Sequence, residues 1–188
     1  MAGLIEHIES YLGEMEEGWT NDPDGSKMPF QMACFPQGPG PDTISFSTLG
    51  LSHHKLHTAK TGKEVRLELA MFVPESLRDG PIPSILHQVA MGALNSGRAL
   101  SRGDVSGPAG PLVPGSAMEA LYVGMPVYLP DEFHVFEEHG KSIVIAWLIP
   151  ISVREADFIQ RQGWDAFEDR LVEEDPDLTD IYRPSMAI

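Results

Sequence analysis

The chain has 188 residues, 42% of them hydrophobic and 22% charged, a composition that supports a single buried core and excludes a chain disordered throughout. Asp and Glu number 28 against 13 Lys and Arg, a net charge of −15, which repels polyanions and argues against nucleic acid or an anionic membrane surface as a partner. Cys34 is the only cysteine, so no intrachain disulfide can form and a reducing, cytoplasmic setting is expected.

From the N-terminus, Leu4, Ile5, Ile8, Tyr11, Leu12 and Met15 recur at three- and four-residue spacing and Gly13 supplies a stop, which predicts a short amphipathic helix. Glu6 and Glu9 fall where a signal peptide needs an unbroken apolar core, and no basic start precedes them, so export by that route is not expected. Residues 18–41 are rich in Pro, Gly and Asp but include Phe30 to Phe35, read as an edge strand. Two strands follow, Thr43 to Leu51 and Val65 to Val73. In the second, Val65, Leu67, Leu69, Met71 and Val73 share one face, while Arg66, Glu68, Ala70 and Phe72 share the other. The polar stretch 52–64 between them reads as the loop of a hairpin.

Next, Ile85, Leu86, Val89, Ala90, Ala93 and Leu94 form a helical stripe, with Ser84 after Pro83 as the expected N-cap. The stretch 103–116 holds four Gly and three Pro; it reads as a long loop, the kind that often carries function in compact domains. Strands are predicted at Ala120–Leu129, Phe133–Phe136 and Ile143–Ile151, then helices at Val153–Gln162 and Trp164–Glu174, divided by Gly163. The run from Ile143 to Ile151 is nine residues with Pro150 inside it, far short of the roughly 20 that cross a bilayer. Several strands with helices at both ends and one between them point to an α+β fold, a single domain over 1–188 with a mixed, largely antiparallel sheet flanked by helices.

His53, His54 and His57 are the residues most able to ligate a metal, and with nearby carboxylates they could serve a metal-dependent hydrolase. The spacing argues weakly, because no HExxH or Cys pair accompanies them and the stretch lies between strands. No cofactor is expected: the glycine-rich stretch lacks the Gly-Lys-Ser/Thr of a phosphate loop, and no GxGxxG opens a helix after the first strand. Ser52 follows Gly50 as in a nucleophile elbow, but His54 stands where the second glycine belongs. Cys34, between Ala33 and Phe35 with no neighbouring cation in sequence, reads as a small buried hydrophobe. Trp147, inside an apolar strand, reads as core; Trp164, beside acidic residues, as a core anchor or part of a binding surface.

Acidity is concentrated. From Glu155 to Asp180 ten carboxylates face Arg161 and Arg170, a local balance of −8, which suits a solvated helix face or the lure for a basic partner. Several segments in order carry a resemblance to the suppressor of fused domain family. Leu49-Gly50-Leu51-Ser52 is similar to its threonine-rich strand and Gly-Met/Leu-Ser turn. Glu68 through Pro74 looks like its acidic strand closed by proline. Leu148-Ile149-Pro150-Ile151 with Glu155 is similar to its hydrophobic strand and helix-start glutamate, and Gly163 through Asp180 with Arg183-Pro184-Ser185 to its closing helix and tail. The resemblance spans about 30–186, leaving 1–29 as an N-terminal helix and linker.

The animal members carry a large C-terminal extension and restrain Gli-type transcription factors. The form without it resembles the bacterial members, some of which are thought to act as immunity proteins that neutralise toxins. The resemblance therefore implies a non-catalytic domain that binds a protein partner, such as a basic toxin domain. Trp164, Asp165, Glu168, Asp169, Glu173 and Asp180 are the expected contact residues. A third reading is a homo-oligomer subunit that pairs through the edge of its sheet.

Overall fold

The computed structural model describes residues 3–21 and 24–188. In chain order it contains α1 (Leu4–Leu12), β1 (Glu17–Asn21), β2 (Lys27–Phe35), β3 (Thr43–Leu49), β4 (Leu56–His57), β5 (Glu64–Pro74), α2 (Ile82–Ser96) and β6 (Val105–Ser106). There follow β7 (Met118–Gly124), β8 (Val135–Glu138), β9 (Lys141–Ser152), α3 (Val153–Gln162) and α4 (Trp164–Glu174). Among the described residues nine strands form a sheet of order β1-β2-β3-β5-β9-β7-β6, with β4 paired to β5 and β8 to β9 off this path. Every pairing is antiparallel except β5 with β9, where Arg66 through Ala70 run alongside Ile143 through Trp147. The expected mixed, largely antiparallel α+β architecture is what the chain adopts.

Strand alternation decides the layering. Leu67, Leu69, Met71 and Val73 of β5 join Met32, Phe46, Leu121 and Leu148 on the face covered by α2 through Leu86, Ala90 and Ala93. Ala70 and Phe72 point the other way, with Phe35, Tyr122, Trp147 and Ile149, into a second core closed by Ile8 and Leu12 of α1, Ile159 of α3 and Phe167 of α4. The central strands are thus buried on both faces and the sheet is a middle layer between helices. Trp147, Tyr122, Phe35, Phe72 and Phe167 are all less than 2% exposed; burying each contributes about 2–3 kcal/mol.

Helix ends follow local chemistry. Ser152 Oγ accepts from Glu155 N at 3.2 Å while Ser152 N donates to Glu155 Oε2 at 2.8 Å, a reciprocal cap for α3. Gly163, at φ 94°, ends α3 and starts α4, and Asp175 closes α4 in the left-handed region at φ 44°. Glu155, fully buried, is also clamped by Arg183, whose Nη1 and Nη2 donate to its two carboxylate oxygens at 2.7 and 2.9 Å. That clamp ties the C-terminal tail to the start of α3.

Three expectations need correction. Phe30–Phe35 is not an edge: β2 pairs with β3 on one side and with β1 on the other. β1 is short and, apart from Trp19, exposed, gaining its place mainly from ladder hydrogen bonds, so its pattern carried no strand signal. α2 begins at Ile82, with Pro83 in its first turn and Ser84 inside the helix rather than capping it. The strand expected to reach Leu129 stops at Gly124. Pro126 cannot donate to a ladder, and a turn held by Val127 N to Met125 O (2.8 Å) and Leu129 N to Pro126 O (2.9 Å) takes over. The glycine-proline stretch is a loop apart from the two residues of β6, as expected, and it is laced to β7 through β6 and through Ala109 N to Glu119 O (3.0 Å) and Leu112 N to Met118 O (2.9 Å).

Candidate protein-binding surface

α4 presents three stripes. Phe167 points inward and meets the Tyr122 ring edge-on, centroids 5.1 Å apart. Trp164, Glu168, Leu171 and Asp175 follow at helical spacing beside it, and Asp165, Asp169 and Glu173 stand exposed on the outer side. Glu168 accepts from the Tyr122 hydroxyl at 2.6 Å and from Arg102 Nε at 2.9 Å, and pairs again with Arg102 Nη2. Burial pushes its carboxyl up, but the Arg102 and Tyr122 donors outweigh that and hold it below the usual carboxylate value. The Tyr122 hydroxyl is driven well above its usual value by burial and by the Glu168 carboxylate.

Arg102 also lies over Trp164, 5.0 Å from its ring centroid. Gly103 comes so close that a Cβ on it would sit 2.5 Å from Trp164 Cδ1, at a φ of 94° that only glycine adopts freely. Arg102 and Gly103 therefore lock the start of the glycine-proline stretch to α4.

Beside this contact, a groove of about 500 Å³ opens between α4 and the 125–129 turn, lined by Tyr122, Met125, Val127, Tyr128, Leu171 and Val172 among others. Its rim is apolar and open: Val127 is 66% exposed, Tyr128 40% and Val172 82%. Tyr128 is nonetheless fixed, its hydroxyl donating to Pro176 O at 3.1 Å and accepting from Leu178 N at 3.3 Å.

Of the residues expected from sequence, the structure gathers Trp164, Asp165, Glu168, Asp169 and Glu173 on α4. Glu173 is already paired with Arg170. Asp180 lies apart, in the segment after α4, where it accepts from Tyr182 N at 2.8 Å and shapes a turn. The groove's Arg102, Val127, Tyr128 and Val172 escaped the sequence reading. Pro126 and Pro130 bracketing Val127, Tyr128 and Leu129 were the available signal for an exposed turn.

The histidines do not converge. His54 Nε2 lies 2.9 Å from Pro29 O, His53 is exposed beside Gly50, and exposed His57 is held by its backbone between Gly97 and Ala99. Among the described residues no three His, Cys, Asp or Glu side chains are grouped to hold a metal ion, and the hydrolase reading is not favoured. Ser52 is buried with its N–H donating to Glu68 Oε1 at 3.0 Å, unlike an exposed nucleophile. Cys34 is 1% exposed, and burial pushes its thiol up to about 11. A second concavity, about 630 Å³, lies between α2 and the 103–112 segment, and includes Val89, Gly92, Leu100, Ser106 and Leu112 in its walls. Among the described residues no helix is long and apolar enough to cross a membrane.

Fold and surface together define an α+β domain with open grooves beside α4 and beside α2. Residues 26–184 match the Suppressor of fused protein (SUFU) family, and the chain belongs to that family. Its fold is similar to that of a SUFU homolog from Neisseria gonorrhoeae (TM-score 0.75, 18% identity), covering 97% of this chain and 93% of that one. A chain of the Sufu–Fu complex matches at TM-score 0.71 and 13% identity, over 97% and 90% of the two chains. Drosophila Suppressor of Fused matches at TM-score 0.69 and 13% identity over 97% of this chain but 50% of that chain. A search of curated proteins finds no match.

Proposed function

We propose that this chain is a non-catalytic, cytoplasmic protein-binding domain that engages a basic partner through α4, and that the partner is a toxin domain it neutralises. The observation that carries the reading is the exposed acidic stripe Asp165, Asp169 and Glu173 on a helix whose inner side is locked to the sheet. Unlike charges on the two partners accelerate encounter, and salt removes the gain. Support also comes from the family, since a Sufu chain of the same fold has been solved in complex with Fu.

The test is capture of the partner from the native organism, with the gene next to this one as the first candidate, followed by stopped-flow association. The on-rate is expected to fall at least about 10-fold from low to high salt, and Asp165→Asn with Asp169→Asn to remove much of that dependence. An on-rate indifferent to salt, or to this pair of substitutions, refutes the α4 assignment.

A further inference from the structure

We propose, on the reading that this surface binds a protein, that the groove between α4 and the 125–129 turn receives an apolar side chain from a Lys- or Arg-bearing segment of the partner. The distribution of exposed apolar surface points there. Among the described residues six large hydrophobic side chains are exposed, and three of them, Val172, Val127 and Tyr128, line this groove. Val172 and Val127 are also the two most exposed. Single exposed hydrophobics need no explanation, but a cluster around a concavity marks an interaction site.

Charge selects the occupant. The cations at this rim are already engaged: Arg102 holds Glu168, and Arg170 holds Glu173 and Glu174. Among the described residues Asp165, Asp169 and Asp175 have no cation partner. Asp175 lines the groove, and Asp165 and Asp169 stand exposed on α4, the helix that supplies one of its walls. An acidic or neutral segment would bring nothing to these carboxylates, whereas a cationic one supplies what the fold omits.

The groove is also formed in advance. Tyr128 is bridged to Pro176 and Leu178, and Glu168 is held by Tyr122 and Arg102. Little ordering cost therefore remains to be met on binding. The central anchor and polar rim reproduce the usual division of labour at protein interfaces, in which a few apolar residues carry the affinity and charges at the edge carry the selectivity.

The probe is a capped peptide of alternating lysine and leucine, titrated into the full ¹⁵N-labelled chain. Amide shifts are expected in residues 125–129 and 168–178, and Val127→Ser with Val172→Ser is expected to weaken binding about 10-fold. Both side chains are exposed, so the melting temperature of this variant should not move. Peptides with glutamate for lysine or alanine for leucine should each bind at least about 10-fold more weakly. Shifts that map elsewhere, no shifts at all, or equal affinity for the control peptides overturn the groove assignment. Capture of the cellular partner by the variant as efficiently as by the wild type also defeats the groove, while leaving the protein-binding reading standing. No stoichiometric complex with any protein, by wild type or variant, defeats the broader reading instead.

Discussion

Replacing Arg183 by alanine removes the cation that clamps Glu155, a carboxylate that is 0% exposed. The substitution deletes two charge-assisted hydrogen bonds to the carboxylate, at 2.7 and 2.9 Å, and two to backbone, Nη2 to Pro150 O at 3.1 Å and Nη1 to Pro184 O at 3.2 Å. Ser152 N at 2.8 Å and Met186 N at 2.9 Å still donate to the carboxylate, so the loss falls at the lower end of the range for breaking a buried pair, about 3 kcal/mol. For a chain of this size that is a drop in melting temperature of about 6–12 °C. The pH dependence is diagnostic. In the wild type, burial pushes the Glu155 carboxyl up, but Arg183 and the backbone donors win and hold it below its usual value. Its contribution is therefore present above the unfolded carboxylate value and lost as pH falls through the depressed folded value. Without Arg183, burial is left to dominate, so the penalty should be largest at neutral pH and shrink towards pH 4, where the orphaned carboxyl protonates. Urea unfolding of both proteins across this range measures it. A penalty below about 1 kcal/mol, or one that is flat with pH, refutes the view that the clamp holds an otherwise uncompensated charge.

Further outcomes follow from other buried groups. Glu68, also 0% exposed, accepts from Thr48 Oγ1 at 2.5 Å, Gly50 N at 2.8 Å and Ser52 N at 3.0 Å, yet burial leaves its carboxyl above the usual value. Its sign is opposite to that of Glu155: stability is full below the unfolded value and lost as pH rises through the folded one. Glu68→Gln should lose less stability than the wild type on going from pH 5 to pH 8, whereas Glu68→Ala should cost about 2–4 kcal/mol by stranding the two backbone donors; parallel pH curves for wild type and glutamine variant contradict this. Gly103→Ala forces a side chain onto Trp164 at a positive φ and should destabilise by about 2 kcal/mol or more while changing tryptophan fluorescence; an unchanged spectrum and melting temperature would show that the lock between the glycine-proline stretch and α4 is dispensable. Cys34 should resist iodoacetamide in the folded protein and react fully in denaturant, and rapid labelling under native conditions would contradict its burial.

How far each feature could be read from the chain depended on whether its cause was local. β5 was legible because its alternation places Leu67, Leu69, Met71 and Val73 on one side and Ala70 and Phe72 on the other, and both sides found a core. α3 was legible through its apolar spacing, and Ser152 and Glu155 cap its start. β1 was not, since Glu17 to Asn21 is held by pairing with β2 and offers Trp19 alone to the core, too little for an alternating pattern. The same distinction governs the surface. The acidity of α4 could be counted, but Val127 and Tyr128 looked like the end of a strand until Pro126 was seen to break the ladder. The grip of Arg102 on Glu168 joins residues far apart in sequence and leaves no local trace.

The parallel pairing at the centre of the sheet has a temporal meaning. β5 finds its neighbour β9 only after everything from residue 75 to 140 has been laid across the sheet, since parallel strands cannot be joined by a tight turn. A nascent chain that has emerged as far as β7 therefore carries β5 with one side unzipped, and its apolar residues wait on a strand the ribosome has yet to release. Truncation before Lys141 would yield an unfinished sheet rather than a smaller version of the protein.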